Sequence, residues 1–380
     1  MKILQICIYY PPSIGGVENF VKELNKTILG LHPETEITTL CFKRGKEESL
    51  DSIVDGVRVV RLKPLATISS QPICFFLTAK IKNVIKNLRP DIIHFHYPNP
   101  LLSEALIKAC KSLDYKPKIF VHWHGDIVGR WAIKFWYVHS SNRLLKLADK
   151  ITSDTLNYAR HSELLVGYMP KVEVVPAIPD YSTMVEDRFN ESLFESIKQT
   201  AAGRKVVFSF GRMVKWKGFQ YLIKSFSYLD DKKYLLLLGG YGKYEKNLKK
   251  QAKNVKNIIF VGKITPAIKY TYLKSCDAFV FPSYGRQEAF GISLAEAMYA
   301  GAPCITFDFE GLGAREIAVP NYSCLSAKPL DCQELASKII DCCNMEQDKK
   351  ETLISNARSL VDKKCSFGFY KAQVEKIYFK

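Results

Sequence analysis

The chain has 380 residues, a length that fits two domains better than one compact core. Its composition, 47% hydrophobic and 24% charged, excludes a disordered protein, and no apolar run is long enough to cross a membrane. The formal net charge of +17 predicts partners that carry phosphate, whether a nucleotide, an anionic lipid or a nucleic acid.

The cysteines and the start of the chain both bear on its compartment. The eleven cysteines are scattered and none lies in a C-x-x-C pair, so we predict small buried side chains rather than disulfides or metal ligands. The first residues, MKILQICIYYPP, contain no small-residue cleavage site and are typical of a β-strand. We therefore predict a cytoplasmic protein.

The first half of the chain alternates strand-like and helix-like segments. Apolar runs of strand length are followed by longer segments with helical periodicity, which favours a parallel sheet covered by helices on both faces. The predicted strands are 2–9, 37–42, 57–62, 91–96 and 118–124, and the predicted helices are 17–31 and 76–88.

The same pattern restarts in the second half. The repetition predicts an α/β protein with two Rossmann-like domains that face a central cleft, and ligands beyond the carboxyl ends of the strands. Prolines in 175–180 indicate a hinge. We predict domains over 1–182 and 183–362, and a helix over 363–380 that returns to the first domain. The predicted strands are 205–210, 234–238, 258–261, 278–281 and 304–307, and the predicted helices are 219–229 and 292–300.

A pair of glycines, Gly15 and Gly16, lies between the first predicted strand and helix. Glycine lets the backbone approach a ligand closely, and a helix start offers free N–H groups to an anion. An ordinary strand-to-helix turn would also use such a pair. Neither leading strand is followed by G-x-G-x-x-G, which argues against a dinucleotide-dependent dehydrogenase.

The corresponding loop of the second half, SFGRMVKWKG, supplies two cations, Arg212 and Lys217. Negative charge builds up on a diphosphate as a sugar departs from it, and positioned cations stabilise that charge. Arginine can hold two phosphate oxygens in a fork, and lysine adds a mobile point charge. A solvated basic loop is the alternative in so basic a protein.

Two glutamates, Glu288 and Glu296, are separated by seven residues. We expect Glu288 in a loop beyond a strand and Glu296 in the helix that follows. This spacing can place one carboxylate over the hydroxyls of a sugar and the other over a ribose, with helix-start N–H groups between them for a phosphate. Unrelated surface carboxylates are the alternative. The candidate donor-binding residues at the helix start are Phe290, Gly291, Ile292 and Ser293.

The segments GGVE, VHWHGD, FGRMVKWKG and EAFGISLAE occur in this order across nearly the whole chain. Together they resemble glycosyltransferase family 4, a family of retaining enzymes with the GT-B fold. The segments YYPPSIGGVE, SYGRQEAFGISLAEA and HGDI are similar to segments of bacterial transferases that build O-antigen or capsular polysaccharide on a lipid carrier. Several of those transferases are mannosyltransferases. The resemblance implies an acceptor-side first domain and a second domain that binds the nucleotide sugar.

The resemblance also implies the reaction and the residue roles. The enzyme would move a hexose from GDP-mannose or a UDP-hexose to a glycan, presented on polyprenyl diphosphate, without a metal ion or other cofactor. The amide of Gly16 would approach the donor diphosphate, which Arg212 and Lys217 would neutralise. Glu288 would hold hydroxyls of the transferred sugar, and Glu296 would hold the ribose.

The chain departs from the family pattern in two places. In VVPAIPD the family usually has a glycine before the Ile-Asp, so the local hinge geometry can differ. The family also often has an acidic residue after a later Gly-Gly, for which Glu316 is only a candidate.

Two H-x-H pairs, His94 with His96 and His122 with His124, each place two imidazoles on one face of a predicted strand. Metal sites also use this spacing. The absence of an acidic D-x-D-type cluster and the family resemblance argue against a catalytic metal. The resemblance places His124 at the reaction centre, and we expect His94 and His96 to be structural or to line the cleft.

The segment after His124 mixes aromatic and basic residues, a composition suited to the headgroup region of an anionic membrane. It predicts a peripheral protein on the inner face of the plasma membrane, where a lipid-linked acceptor would be reached. Aromatic side chains that pack into the first domain are the alternative. The candidate membrane or acceptor residues are Arg130, Trp131, Lys134, Trp136 and Arg143.

Two other functions remain as alternatives. A GT-B-fold epimerase would act on the nucleotide sugar itself, and incubation with the donor alone separates this activity from transfer. The charge of +17 would also fit a protein that binds or modifies DNA, but neither a recognition helix nor a basic run with stacking aromatics is identifiable. We therefore predict no nucleic-acid partner.

Overall fold

The computed structural model of the chain describes residues 1–13, 15–44, 48–68, 71–128 and 134–380. They form two compact units, Met1–Pro176 with Tyr370–Lys380 (unit 1) and Ala177–Phe369 (unit 2). The boundaries between the units thus follow residues 176 and 369, whereas the boundaries predicted from the sequence follow residues 182 and 362. Each unit contains its own sheet flanked by helices, which confirms the prediction of two Rossmann-like α/β domains.

Unit 1 is built on an eight-stranded sheet. The strands of unit 1, including two that lie outside this sheet, are β1 (Lys2–Ile6), β2 (Glu36–Phe42), β3 (Asp51–Val54), β4 (Val57–Leu62), β5 (Ala66–Ile68), β6 (Gln71–Ile73), β7 (Ile92–Tyr97), β8 (Lys118–Trp123), β9 (Lys150–Ser153) and β10 (Val172–Val174). The sheet order is β10-β9-β8-β7-β1-β2-β4-β3, and β5 and β6 form a separate hairpin. All neighbours in the large sheet are parallel except β3 and β4.

Unit 2 is built on a six-stranded, fully parallel sheet. Its strands are β11 (Lys205–Phe210), β12 (Tyr234–Gly239), β13 (Ile258–Gly262), β14 (Ala278–Phe281), β15 (Cys304–Phe307) and β16 (Leu325–Ala327). Their order is β13-β12-β11-β14-β15-β16. The chain therefore switches direction between β11 and β14, the place where ligands bind in open parallel sheets.

The helices follow the strands in the order expected of βαβ units. They are α1 (Gly16–Leu31), α2 (Leu77–Leu88), α3 (Pro100–Cys110), α4 (Lys134–Leu147), α5 (Leu156–Arg160), α6 (Glu191–Ala201), α7 (Phe219–Phe226), α8 (Glu245–Ala252), α9 (Pro266–Ser275), α10 (Ile292–Ala300), α11 (Cys332–Cys343), α12 (Gln347–Cys365) and α13 (Phe367–Phe379). No helix in the described part of the chain combines the length and the apolarity that crossing a membrane requires.

Apolar strands and capped helix starts explain these elements. β8 is buried at every position after its first residue, as expected for a strand covered on both faces of a parallel sheet. α3 begins where Asn99 accepts a hydrogen bond from the N–H of Leu102, with Pro100 in the first turn. The strand predicted over 2–9 ends at Ile6, and β3 and the β5–β6 hairpin were not predicted.

Nine of the eleven cysteines are buried, and Cys74 and Cys110 are partly exposed. The prediction of small buried side chains is therefore confirmed for most of them. Burial raises the pKa of the Cys342 and Cys343 thiols to about 12, so these neighbours remain protonated and unreactive.

Candidate functional sites in the two units

Two neighbouring strands of unit 2 end in loops that carry the predicted donor-binding residues. Because β11 and β14 pair in parallel, residues 211–218 and 282–291 leave the sheet at the same edge. Gly218 has φ +76°, and a Cβ atom there would lie 1.8 Å from the carbonyl oxygen of Pro282. Glycine is thus required for the two loops to pack together.

Lys217 and Glu288 form a buried ion pair between these two loops. Lys217 Nζ lies 2.5 Å from Glu288 Oε2, and the side chains are only 13% and 10% exposed. Ser283 Oγ also donates a hydrogen bond to Glu288 Oε2 at 3.1 Å. The charge-assisted network fixes both side chains. The residues that the sequence assigns to the diphosphate and to the sugar are therefore partners in the structure.

Arg212, the other predicted cation, is exposed. Its guanidinium lies 5.7 Å from the centroid of the Trp216 ring, within cation–π range. Among the residues that the structure describes, no carboxylate pairs with Arg212. Its forked donors are therefore available to phosphate oxygens.

Glu296 forms a second buried ion pair, with a lysine that the sequence did not single out. Lys269 Nζ of α9 lies 2.5 Å from Glu296 Oε1 of α10, and the side chains are 12% and 6% exposed. Desolvation by burial raises the pKa of Glu296, while the charges of Lys269 and, more weakly, Lys217 oppose this shift. Lys217, Glu288, Lys269 and Glu296 therefore form one group, which we call the unit 2 charge cluster.

The start of α10 lies beside this cluster in the sequence. Gly291, at φ +100°, precedes the helix, and no side chain caps it. The first N–H groups of a helix, here those of Ile292 and Ser293, have no partner within the helix. Ser293 Oγ is buried and has no hydrogen-bond partner within the described part of the chain. These groups suit a phosphate oxygen, whereas the Phe290 side chain is buried and acts as packing.

The glycine pair of unit 1 also lies at a helix start. Gly15 has extended backbone and precedes α1, and Gly16 is its first residue, without a side-chain cap. A Cβ atom on Gly15 would collide with the Glu18 carboxylate, whereas none of the described residues lies within 4 Å of one on Gly16. The space at Gly16 is thus open to a ligand. Ile14 of the same loop lies outside the described residues.

The two H-x-H pairs come together as one group in unit 1. β7 and β8 pair in a register that places His96 directly opposite His122. Since side chains two residues apart share a face of a strand, His94 and His124 join the same face. We call these four residues, His94, His96, His122 and His124, the histidine cluster.

Hydrogen bonds connect the histidine cluster to both ends of unit 1. His96 Nδ1 lies 3.1 Å from His124 Nε2, and His96 Nε2 lies 2.9 Å from Gln5 Oε1. His94 Nδ1 is hydrogen bonded to the hydroxyl of Tyr378. Gln5 Nε2 donates to the same hydroxyl at 3.4 Å. The network therefore runs from α13 through β1 to His124.

Burial keeps the imidazoles neutral. Desolvation lowers the pKa of His122 to about 3 and lowers the pKa values of His94, His96 and His124 well below the usual value. For His96 and His124 the neighbouring rings add to this shift, and for His124 the charge of Asp154 opposes it. At neutral pH the cluster thus offers uncharged donors and acceptors.

One part of the histidine cluster has metal-ligand geometry. His122, His124 and Asp154 can each offer one ligand atom, and these atoms all lie within 4.8 Å of one another. From the sequence, the only metal ligands suggested were the two histidines within each H-x-H pair. The structure instead combines one pair with a carboxylate at the end of β9, a neighbour of β8.

The predicted membrane or acceptor residues differ in exposure and pairing. Arg130 and Trp131 lie outside the described residues. Lys134 Nζ pairs with Glu163 at 3.2 Å, and Arg143 pairs with the partly buried Glu104 at 2.7 Å. Arg143 therefore contributes less positive charge to the surface than the sequence suggests.

Exposed apolar side chains lie at the starts of three helices of unit 1. α2 packs on α3 and α3 on α4. α3 and α4 follow β7 and β8, and α2 leads back into β7, so all three helices begin at the carboxyl edge of the sheet. We call the exposed residues Phe76, Leu101, Phe135 and Trp136 the apolar rim; Phe135 is 87% exposed and Trp136 41%.

Sequence patterns did not reveal every residue of these sites. Lys269, Gln5 and Tyr378 lie in segments without a recognisable motif, and only the tertiary fold brings them to Glu296, His96 and His94. Glu316, the candidate for the acidic residue that the family often has, pairs with Lys364 at 2.8 Å in unit 2.

Two family models match the chain, one in each half. The model described as Glycosyltransferase Family 4 matches residues 14–178. The model described as Glycosyl transferases group 1 matches residues 192–360. The first match includes the glycine pair and the histidine cluster, and the second includes the unit 2 charge cluster.

Two bacterial sugar transferases are among the relatives. The chain is 25% identical to O-antigen chain mannosyltransferase C of Escherichia coli over 91% of this chain and 90% of that protein. It is 27% identical to D-rhamnosyltransferase WbpZ of Pseudomonas aeruginosa over 63% of this chain and 60% of the relative.

Solved structures share the fold. Sucrose-phosphate synthase from Thermosynechococcus elongatus superposes with a TM-score of 0.78 and 16% identity over 99% of this chain and 98% of that one. Anabaena HepE, in complex with UDP and glucose, gives a TM-score of 0.75 and 19% identity over 99% of both chains. These likenesses show the GT-B fold. The chain is therefore a glycosyltransferase, with a family 4 region in unit 1 and a group 1 region in unit 2.

Proposed function

We propose that this glycosyltransferase moves a hexose from a nucleotide-sugar donor, GDP-mannose or a UDP-hexose, to a glycan acceptor in the synthesis of a cell-surface polysaccharide. The observation that carries the proposal is the unit 2 charge cluster, which lies beside an uncapped helix start with an unpartnered buried hydroxyl. The O-antigen mannosyltransferase relative supports the polysaccharide product, and the HepE complex supports a nucleotide-sugar donor.

The donor would bind to both the basic and the acidic residues of the cluster. A lysine ammonium has three donors, so Lys217 can keep its bond to Glu288 and still donate to a phosphate. Arg212 and the start of α10, with Ser293, would hold the remaining phosphate oxygens. Glu288 has a second oxygen for sugar hydroxyls, and Glu296 would accept from the ribose.

In this arrangement the cations promote departure of the diphosphate. The bond between the anomeric carbon and the phosphate oxygen breaks, and the acceptor hydroxyl bonds to that carbon on the same face. The hydroxyl proton passes to the departing phosphate. Arg212, Lys217 and the helix start stabilise the charge on the leaving group without a divalent ion. His124, which is uncharged, would contact the transferred sugar through a hydrogen bond.

The acceptor would be linked to a lipid such as polyprenyl diphosphate. The support for this part of the proposal is the apolar rim of unit 1, whose exposed aromatic side chains suit the headgroup region of a bilayer. The net charge of +17 would attract an anionic leaflet such as the inner face of the plasma membrane.

Donor binding is tested by thermal unfolding in the presence of GDP-mannose and the common UDP-hexoses. A donor at a hundred times its dissociation constant stabilises the protein by about 2.7 kcal/mol, which raises the unfolding temperature measurably. Glu296→Gln should reduce this shift, and Lys215→Ala, which removes an exposed lysine of the Arg212 loop, should keep it in full. If none of these donors raises the unfolding temperature, the proposed donor class is wrong.

The active donor then serves to test the chemistry. Incubated with acceptor, the enzyme should give a product with the donor's anomeric configuration, measured by its NMR coupling constant, and EDTA should not lower the rate. Inversion would contradict the retaining mechanism. Loss of activity in EDTA and recovery with Mn²⁺ would contradict catalysis without a divalent ion.

A further inference from the structure

The ends of β8 and β9 in unit 1 bring two imidazoles and a carboxylate together. His122 and Asp154 are buried, His124 is partly buried, and their potential ligand atoms lie within 4.8 Å of one another. We propose that His122, His124 and Asp154 form a binding site for a zinc-class divalent ion.

His122 is oriented as a ligand by the strand beside it. Its Nδ1 lies 2.9 Å from Thr152 Oγ1. When the ring donates to that hydroxyl, Nε2 carries the lone pair. This Nε2 is buried and has no hydrogen-bond partner among the residues that the structure describes, and it lies 3.8 Å from Asp154 Oδ1. Two ligands of one tetrahedral zinc ion are about 3.4 Å apart, so these two atoms need only a small movement to bind the same ion.

His124 is oriented by a longer chain of hydrogen bonds. The Gln5 amide oxygen can only accept, so His96 donates to it from Nε2 and accepts from His124 at Nδ1. His124 must then carry its hydrogen on Nε2. The lone pair of its Nδ1 is left for an ion. Metal-binding imidazoles usually have such a partner on the other ring nitrogen, which fixes the tautomer.

The ligand set selects the class of ion. Two imidazoles and one carboxylate are typical of zinc and neighbouring transition metals, whereas magnesium and calcium prefer oxygen ligands throughout. Three protein ligands leave a fourth position open for water. The Phe20 ring packs on His122 and His124 with centroid distances of 4.2 and 4.9 Å, which supplies the apolar wall that excludes solvent from such sites.

An ion at this site would regulate the reaction rather than drive it. This consequence rests on the proposed function, in which His124 contacts the transferred sugar. An ion bound to Nδ1 of His124 would occupy the lone pair that could otherwise accept a hydrogen bond from a sugar hydroxyl, and would inhibit transfer in this way. The existence of the site does not depend on the sugar chemistry.

Calorimetric titration of the full-length, metal-free protein with Zn²⁺ tests the site. The background for all variants is Cys74→Ser with Cys110→Ser, because these two thiols are not buried and would bind zinc themselves. We expect one ion per chain. His122→Ala and Asp154→Asn should each weaken binding by about tenfold or more, and His161→Ala, which removes an exposed imidazole, should leave it unchanged.

A conservative variant separates ion binding from folding. Thr152→Val removes only the hydroxyl that orients His122, and we expect it to weaken Zn²⁺ binding by about tenfold or more while both ligands remain. Thermal unfolding of each metal-free variant shows whether it is folded. Co²⁺ in place of Zn²⁺ should give a visible spectrum of tetrahedral coordination that His122→Ala abolishes.

Two results would overturn the proposal. One is the absence of saturable Zn²⁺ binding in the background protein. The other is Zn²⁺ binding that is as tight in the folded His122→Ala, Asp154→Asn and Thr152→Val variants as in the background protein. These measurements contain no nucleotide sugar, so failure of the proposed transfer reaction would not affect them.

Discussion

The unit 2 charge cluster and the histidine cluster occupy equivalent places, at the carboxyl ends of parallel strands, yet their chemistry is opposite. In unit 2, buried carboxylates and ammonium groups form close ion pairs. In unit 1, burial lowers the pKa values of four imidazoles, which remain neutral and hydrogen bond to one another and to uncharged side chains. The carboxyl edge of the sheet thus presents ion pairs in one unit and neutral imidazoles in the other.

The difference determines how each cluster responds to mutation. Removing one partner of a buried ion pair leaves an uncompensated charge and costs about 3–5 kcal/mol. Removing one neutral imidazole leaves an unsatisfied donor or acceptor, which costs about 1–3 kcal/mol. Activity measurements on unit 2 therefore need variants that separate loss of a pair from loss of a contact with the ligand.

The largest effect is expected at Arg212. Because no carboxylate pairs with it among the described residues, Arg212→Ala should remove a contact with the diphosphate without exposing a buried charge. We expect turnover to fall by about a hundredfold or more, on the order of 3 kcal/mol of transition-state stabilisation. Steady-state kinetics measures this loss, with Lys215→Ala as the matched control.

Lys217→Ala should lower turnover as strongly as Arg212→Ala does. It should also destabilise the fold, because the buried Glu288 carboxylate loses its ion-pair partner. The double variant Lys217→Met with Glu288→Gln should recover thermal stability without recovering turnover. Near-normal turnover in both Arg212→Ala and Lys217→Ala would remove the diphosphate from this loop.

The two carboxylates of the charge cluster should give a smaller and divided effect. Glu296→Gln should mainly raise the KM for the donor, since ribose contacts are alike in the ground and transition states. Glu288→Gln should mainly lower kcat, by about tenfold, because the sugar ring changes shape as the bond breaks. The amide preserves the size of each side chain. Identical changes of kcat and KM in both variants would contradict separate roles for the two residues.

Much of the fold could be predicted because buried parallel strands have a strong sequence signal. The run Tyr234–Gly239, for instance, is buried throughout and apolar up to its final glycine, so its strand was evident. β3 was missed because its exposure alternates and its residues are mixed in polarity. α6 was missed because its face is only weakly apolar and just two of its residues are buried.

The candidate sites were predictable only as far as single motifs extend. The residues Lys217, Glu288 and Glu296 were found because each follows or lies near a recognisable glycine-containing turn. Their pairing could not be found, because it depends on how β11 and β14 neighbour each other and on Lys269 from a different helix. In the same way, each H-x-H pair was visible, but the register that places His96 opposite His122 was not.

The apolar rim is a feature of unit 1, and replacing its aromatic side chains should reduce membrane binding a few-fold. Phe135→Ser with Trp136→Ser should reduce flotation of the protein with vesicles of phosphatidylglycerol and phosphatidylcholine, because aromatic side chains partition into the headgroup region. Ile53→Ser, which removes an exposed apolar residue on β3, is the matched control. Raising the salt concentration should weaken flotation of the wild type. Wild-type protein that stays unbound at low salt would indicate an acceptor that no membrane presents.

The smallest effect concerns pH and contrasts the two clusters directly. Desolvation raises the pKa of Glu296, so this carboxylate takes up a proton at a higher pH than an ordinary glutamate does. Protonation removes the charge that pairs with Lys269 and weakens the acceptor for the ribose. The KM for the donor should therefore rise a few-fold as the pH is lowered from neutrality towards the range in which an ordinary glutamate titrates. The imidazoles of unit 1 stay neutral over this interval, because their pKa values are lowered, and so they add no dependence of their own. In Glu296→Gln the KM should start higher and stay flat with pH, measured with the same donor. A KM that rises equally in wild type and Glu296→Gln would assign the titration to another group and leave Glu296 without a role in the pH response.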